Sequence, residues 1–463
     1  MGIIHPLTYI RNACIICSMR NSGWFRKLFQ WIIQKMRWLL PGLGVKRWLV
    51  LILMGTTLLG LGFAVLVLDV YRNAPETWWL PALSYLSLRF LARPLRALIF
   101  GGSGIFFIAF GIWGLNRALL APFTRPGQPI IDTVSSYRKR DRGPRIVVIG
   151  GGNGLSSLLR GLKTFSHNLT AIVSVADDGG SSGELRRSMG VLPPGDIRNC
   201  LAALSDDEEL LTQLFQYRFA SGTGIGGHTL GNLLITALAE NTGSFEQGVS
   251  ESARVLAVRG RVLPSTLHDV KLVADVTVPR ENQAVVVKGE SEIPKMSGQI
   301  KRVWLEPNNP LAYPPAVQAI FSADLIIIGP GSLFTSILPN LLVPDLTAAV
   351  RSSRAIKFYV CNVASQPGET DSFNCGDYVR TIEKYTGSGL LDMVICNSRY
   401  EGNLPENTQW VIPEVDLDQH YPLYQADLID TVHPWRHDSI KLAKVVIDLF
   451  NERTGPLSVH PEE

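Results

Sequence analysis

RIVVIGGGNGLSSLLRGLKTFSHNLTAIVSVADDGGSSG, residues 145–183, reads as strand, glycine turn, helix, strand and a second glycine turn. Residues 145–149 form a β-branched run that ends in Gly150, Gly151, Gly152, Asn153 and Gly154, and a helical apolar pattern follows over 155–165. Glycines let backbone N–H groups approach an anion closely, and the helix N-terminus adds about half a positive charge. A second apolar run, 169–176, ends in Asp177 and Asp178. An open α/β sheet places the exits of adjacent strands side by side. The unit therefore predicts a nucleotide-like or phosphorylated ligand.

Downstream the alternation continues. Residues 316–322 read as a helix, 324–328 as a buried strand, 333–341 as a helix, 356–361 as a strand, 378–385 as a helix and 391–396 as a strand. This order predicts a Rossmann-like α/β fold with a doubly wound, mostly parallel sheet. Between 194 and 258 the pattern is almost wholly helical, at 197–204, 208–217, 229–240 and 245–258, which predicts a helical insertion covering one side of the sheet. A last helix over 439–450 packs back on the sheet, and the chain ends in a tail at 456–463.

Charge divides the chain. Residues 1–143 carry 18 Lys/Arg against 4 Asp/Glu, whereas 144–463 carry 26 against 36. The basic part holds two uncharged apolar runs, 48–68 and 97–115. Each is close to the roughly 20 residues that cross a hydrocarbon core. Basic residues flank both outer ends, so the positive-inside rule places those ends in the cytoplasm, although four arginines in the connecting loop weaken the contrast. The expected organisation is a basic leader at 1–47, which mixes Trp and Phe with Arg and Lys as a helix lying on an anionic membrane does, then a two-helix transmembrane hairpin within 48–120. A linker at 121–144 and a cytosolic α/β domain at 145–455 complete it. This predicts a multi-pass protein of the cytoplasmic membrane in contact with membrane lipid, with no nucleic-acid partner. No secretory cleavage pattern fits, because the first apolar run begins too late and is too long.

The polar motifs cluster at strand exits. GGGNG departs from the dinucleotide fingerprint G-x-G-x-x-G, since Leu155 stands in the third glycine's place, and a ligand-free tight turn is its plain alternative. Asp177 or Asp178 suits a ribose hydroxyl or a Mg²⁺ ion. In DDGGSSG, Gly179 and Gly180 permit an anion-binding nest beside Ser181 and Ser182, although a glycine-serine loop without a ligand has the same composition. PPGDIRNCL (193–201) reads as a turn entering a helix, with Asp196 as a cap and Arg198 and Asn199 facing a phosphate or an amide edge. GGHTLGNLL (226–234) offers His228 and Asn232 at a helix start, where a histidine is as readily structural as functional. IIIGPGSLFTSILPN (326–340) repeats the first loop's logic with Gly329, Gly331 and Ser332. CNVASQPGETDSF (361–373) adds Asn362 and Gln366 as candidate base or sugar contacts, or as parts of a solvated loop.

The six cysteines suggest no metal or disulfide framework. Cys14 and Cys17 form an isolated pair in the leader, and Cys200, Cys361, Cys375 and Cys396 are dispersed in a domain expected in a reducing compartment.

Taken in order, GGGNGLSSLLRGLK, VSVADDGGSSGELR, LPPGDIRNCLAAL, GHTLGNLLI, IGPGSLFTSILPNL and CNVASQPGETDSF resemble the gluconeogenesis factor family, a CofD-like group related to 2-phospho-L-lactate transferases. The resemblance covers residues 145–450. It implies a Rossmann-like fold, a site for UDP-sugars such as UDP-N-acetylglucosamine, and a role in cell shape and envelope growth on gluconeogenic carbon sources, with cell-wall synthesis proteins as partners. Members of this kind are soluble, so the membrane hairpin is a departure. Two readings follow: a nucleotide-sugar-binding regulator without turnover, suggested by the lack of an evident nucleophile–base pair, or a Mg²⁺-dependent phospho-lactyl transferase with metal at Asp177 and Asp178. A dehydrogenase is disfavoured by the glycine spacing, which leaves room for NAD(P) in the same pocket without hydride transfer.

Overall fold

A computed structural model describes residues 143–455 apart from 206–209, 221–223, 279–283, 297 and 415–416, together with scattered residues between 53 and 112. The chain divides into two compact units, Met1–Tyr137 and Arg138–Glu463. In the first, a short apolar helix runs over Gly101–Phe110, and among the described residues no single helix is long and apolar enough to cross a membrane. The predicted hairpin therefore gains no support. The leader, most of the span at 48–68 and part of that at 97–115, nearly all of the linker, and the tail at 456–463 lie outside the described residues.

The second unit begins with β1 (Ile146–Gly150), α1 (Gly152–Leu162), β2 (Leu169–Val173) and α2 (Gly180–Met189). Four helices follow, α3 (Gly195–Leu204), α4 (Leu210–Gln216), α5 (Leu230–Thr242) and α6 (Phe245–Val255), before β3 (Arg261–Pro264). Next come β4 (Lys271–Thr277), β5 (Ala284–Lys288), β6 (Gln299–Glu306), α7 (Pro314–Ser322) and β7 (Leu325–Ile328). The remainder is a π-helical turn (Leu333–Ile337), α8 (Leu338–Leu341), α9 (Pro344–Ser352), β8 (Ile356–Val360), α10 (Cys375–Thr386), β9 (Met393–Asn397), α11 (Leu417–His420), β10 (Leu423–Ala426) and α12 (Ser439–Thr454).

Seven strands form one sheet in the order β10-β9-β8-β7-β1-β2-β3. All its neighbours pair in parallel. The predicted doubly wound parallel sheet and the helical insertion, α3 to α6 between β2 and β3, are both present. Side chains of a strand alternate between faces, and both faces here are covered, which is why each strand reads as a continuous apolar run. Val147 and Ile149 of β1 enter one apolar layer with Ile320, Leu346 and Ile382 from α7, α9 and α10. Ile146 and Val148 enter the other with Leu158 of α1, Leu201 of α3 and Val446 of α12.

Three parts differ from the sequence reading. β4, β5 and β6 make a separate antiparallel sheet, in the order β5-β4-β6, within a stretch for which no element was assigned. Gly180, Ser181 and Ser182 begin α2 instead of forming a loop nest, with Gly179 in the extended N-cap position. Helix α2 buries few apolar residues, so the sequence shows little helical periodicity there. Finally, Cys375 and Cys396 are joined as a disulfide, and the buried Cys361 lies within 4.8 Å of that pair. Residues 21 positions apart meet because α10 starts beside the end of β9, a proximity that spacing alone does not reveal.

Two features lock the ends of the sheet layers. The Asp438 carboxylate caps α12, accepting from Ile440 N at 2.9 Å and Lys441 N at 2.8 Å. Gly161 of α1 lets the two helices touch, since a Cβ there would lie 1.9 Å from the Ser439 carbonyl oxygen and 2.7 Å from Ala443 Cβ. Gly161→Ala must push α12 away, and overpacking of this kind costs about 1–3 kcal/mol. The expected result is a lower urea midpoint at unchanged m value; an unaltered midpoint would show that α12 moves freely.

Candidate functional site

Strands β1 and β7 are neighbours in the sheet although β1 is followed in sequence by β2 on its other side. Chain direction across the sheet reverses at this pair, and open α/β sheets bind ligands outside the carboxyl ends of the strands at such a point. A cavity of about 870 Å³ lies there. That is within the size range of small-molecule sites.

The first wall is the β1 exit. Gly151 is fully extended, Gly152 takes φ +65°, and α1 starts directly. A Cβ on Gly151 would sit 2.5 Å from Asp196 Oδ2, and one on Gly154 2.6 Å from the Pro330 carbonyl oxygen. Gly154 is thus required because the β1 and β7 loops pack backbone to backbone, and Gly151 because the Asp196 carboxylate of α3 closes on it. Asn340 Nδ2 donates to the Gly150 carbonyl at 3.0 Å and holds this arrangement from below. Gly151, Gly152, Asn153 and Gly154 all line the cavity, together with Arg160 of α1.

The second wall joins the exits of β7 and β8. Gly331 donates its N–H to Asn362 Oδ1 at 3.2 Å, and Asn362 Nδ2 donates back to the Gly331 carbonyl at 3.0 Å. Gln366 Nε2 donates to Ser332 Oγ at 2.6 Å. Gly331, Ser332, Asn362 and Gln366 line the cavity as expected, but the two amides also brace one loop against the other. Gly329, at φ +79°, lies beneath them with its N–H bonded to the Ile149 carbonyl. The rim carries Trp435, packed edge to face on His433, and Arg436. His437 donates through Nε2 to the Cys361 carbonyl, 3.1 Å away. Burial lowers its pKa to about 4, so it is a neutral imidazole, and the carbonyl, which can only accept, assigns the proton to Nε2.

The third wall is acidic. Asp177 accepts from Gly179 N at 2.9 Å, and Arg186, buried beneath it, donates to its backbone carbonyl at 3.4 Å. Asp196 and Glu290 complete the wall. Asp196 sits in the first turn of α3, where its carboxylate accepts the Gly152 N–H instead of capping its own helix. Burial, followed by the charge of Asp177, raises its pKa to about 6. Glu290 follows β5, so the antiparallel sheet delivers it, and burial followed by Asp177, Asp196, Glu369 and Asp178 raises its pKa to about 8. Burial also pushes Asp177 up. Behind the cavity Glu369 accepts from Thr335 Oγ1 at 3.0 Å and is raised to about 7 by burial.

Several predicted site residues stand elsewhere. Asp178 turns away and accepts from Ser291 N at 2.9 Å, so it does not pair with Asp177 toward a metal. Ser181, Ser182, His228 and Asn232 form a buried layer behind the wall, and of the PPGDIRN residues Asp196 and Asn199 reach the cavity. The sequence reading missed Asp196 as a cavity carboxylate, and Glu290, Arg160 and Arg436 altogether. Asp196 lay in a motif already singled out; Glu290 had no local signal. Oxygen donors suit Mg²⁺, which typically takes one or two carboxylates and completes its shell with water and substrate phosphate. Asp177 and Asp196 fit that role. Among the described residues, no three acidic groups bring their oxygens within 4.8 Å of one another; the three cysteines form the group that does come this close.

These features define an open α/β protein with a polar, glycine-walled cavity at its topological switch point. The family described as 2-phospho-L-lactate transferase CofD matches residues 146–433, and the chain belongs to this family alongside the gluconeogenesis factors. A Nostoc protein assigned to the gluconeogenesis factors is 44% identical over 96% of this chain and 92% of its own. The gluconeogenesis factor of Bacillus subtilis is 44% identical over 67% of this chain and 99% of its own. A crystal structure of a UPF0052-family protein from Bacillus halodurans matches with a TM-score of 0.62 and 41% identity, covering 66% of this chain and 99% of that one. The N-terminal third thus has a counterpart in the Nostoc protein, whereas the B. subtilis match leaves a third of this chain uncovered.

Proposed function

We propose that the α/β domain binds a UDP-sugar such as UDP-N-acetylglucosamine and acts as a ligand-responsive regulator of cell shape and envelope growth under gluconeogenic conditions. The observation that carries the reading is the meeting of two glycine strand exits at the switch point, with Arg160 and Arg436 lining the same cavity as Asp177, Asp196 and Glu290. Backbone N–H groups and arginines suit a diphosphate, and carboxylates suit sugar hydroxyls or a bridging Mg²⁺. The kinship with gluconeogenesis factors supports the physiological setting. The basic, apolar N-terminal third would hold this domain at the cytoplasmic membrane, beside cell-wall synthesis proteins.

The carboxylate wall also favours a second reading, a Mg²⁺-dependent transferase of the phospho-lactyl type. A metal bound there would offset charge on a leaving phosphate, and Asp177 and Asp196 would be the residues holding it. Calorimetry of the full chain with UDP-N-acetylglucosamine tests the first reading, and absence of heat at about 1 mM ligand, well above the micromolar affinities typical of specific sites, overturns it. NADH titration by fluorescence tests whether NAD(P) shares the pocket. An assay for Mg²⁺-dependent product separates the readings: a transferase forms product and Asp177→Asn abolishes it, whereas a regulator binds its ligand and forms none.

A further inference from the structure

The polar residues behind the acidic wall form one directed chain of hydrogen bonds that ends at the cavity. Arg198 Nη2 donates to Asn199 Oδ1 at 2.8 Å, and Nη1 donates to Thr229 Oγ1 at 2.6 Å and to Asn232 Oδ1 at 3.3 Å. Asn232 Nδ2 donates to Ser181 Oγ at 3.0 Å, and Ser181 meets His228 Nδ1 at 3.0 Å. His228 Nε2 lies 3.5 Å from Glu184 Oε2.

The direction of the chain is fixed by chemistry. Guanidinium has donors and no acceptor, so each amide must turn its oxygen to Arg198. Asn232 then presents its NH2 to Ser181, whose hydroxyl also bonds His228 Nδ1. Asn199 in turn must present its NH2 to the cavity it lines. The side chain of Arg198 reaches this position because Gly231 of α5 leaves space: a Cβ there would lie 2.8 Å from Arg198 Cγ. Thr229, Asn232 and Asn199, the acceptors that Arg198 bonds, are all neutral, and a part-buried guanidinium without a hydrogen-bonded carboxylate is a costly way to stabilise a fold.

We propose that Arg198 is a positioning residue that locks Asn199 as a hydrogen-bond donor at the cavity wall, so that the site selects a ligand oxygen able only to accept. This deepens the nucleotide-sugar reading and rests on it. The accepting oxygen belongs to a pyrimidine carbonyl or to a phosphoryl group. Ser181, His228 and Asn232, which do not reach the cavity, serve the ligand through Arg198.

The test uses the full chain, titrated with UDP and CDP. Asn199→Asp keeps an acceptor for Arg198 but exchanges the cavity-facing donor for an acceptor, and its UDP affinity is expected to fall about 10- to 100-fold with an unchanged melting temperature. If the partner is the C4 carbonyl of the base, CDP, whose exocyclic amine donates there, gains on UDP in this variant; if it is the C2 carbonyl, which both bases carry, or a phosphoryl oxygen, both fall together. Arg198→Met is expected to weaken UDP about 3- to 10-fold in the parent chain, and to have no further effect once Asn199 is alanine, because it acts through that amide. Arg198→Lys, which keeps a donor, restores part of the affinity. Wild-type affinity for UDP in Asn199→Asp, or an equal loss from Arg198→Met with and without Asn199, overturns the proposal alone. A wild-type chain that binds neither UDP nor UDP-N-acetylglucosamine overturns the nucleotide reading and this inference with it.

Discussion

Gly154→Ala is expected to abolish nucleotide-sugar binding, with an affinity loss of at least about 100-fold, and to lower stability by about 1–3 kcal/mol. The added methyl would stand 2.6 Å from the Pro330 carbonyl oxygen, 2.9 Å from its carbon and 3.1 Å from Gly331 N. All three are backbone atoms. No side-chain rotation relieves the contact, so the β1 and β7 loops must separate. Separation is resisted on both sides, by Asn340 on the Gly150 carbonyl and by the paired bonds between Asn362 and Gly331. Whichever bond yields, the two glycine loops cease to line one cavity. Calorimetry with UDP-N-acetylglucosamine and a melting curve on the same sample check both parts. A variant that binds as tightly as the parent would mean that the two loops do not share the ligand.

The same close approach explains how the sequence reveals this site and where it falls silent. GGGNG and GPGS are legible because backbone packing across a switch point demands glycine, and a glycine cluster after a β-branched run is a local signal. Strand direction was legible for the complementary reason: burial on both faces leaves uninterrupted runs such as LIII in β7. The acidic wall was only half legible. Asp177 follows β2 directly and so betrays itself, but Glu290 enters from the antiparallel sheet more than a hundred residues later, and only the tertiary fold makes them neighbours. Asp178 misled because adjacency in sequence suggested a shared metal, while residues next to each other at a strand exit point in different directions. Its carboxylate closes the turn at Ser291 instead. Ser181 and Ser182 misled in the same way: glycine and serine compose both an anion nest and a helix start, and the choice is made by the packing of α2.

The carboxylates gathered at the cavity make the stability of the fold depend on pH. Glu290 has a pKa of about 8 in the folded chain against an ordinary 4.5, chiefly through burial and then through the neighbouring carboxylates. The folded state therefore holds a proton that the unfolded state has released between about pH 4.5 and pH 8. Stability from this group is complete below the unfolded pKa and is lost as pH rises through the folded one. Asp196, raised to about 6, and Glu369, raised to about 7, act in the same sense. Glu290→Gln removes the largest of these shifts. At pH 8 the variant is expected to be more stable than the parent by about 2–4 kcal/mol, a value discounted from the full linkage of about 1.4 kcal/mol per pKa unit for the exposure and coupling of the group. At pH 4 the advantage should vanish, because the parent carboxyl is then protonated in both states. Urea unfolding of parent and variant at the two pH values checks the prediction, and equal stability at pH 8 would refute it. Addition of Mg²⁺ at pH 8 sharpens the result. A cation seated between Asp177 and Asp196 stabilises the parent by opposing the same repulsion that Glu290→Gln relieves, so the advantage of the variant should shrink as Mg²⁺ is added.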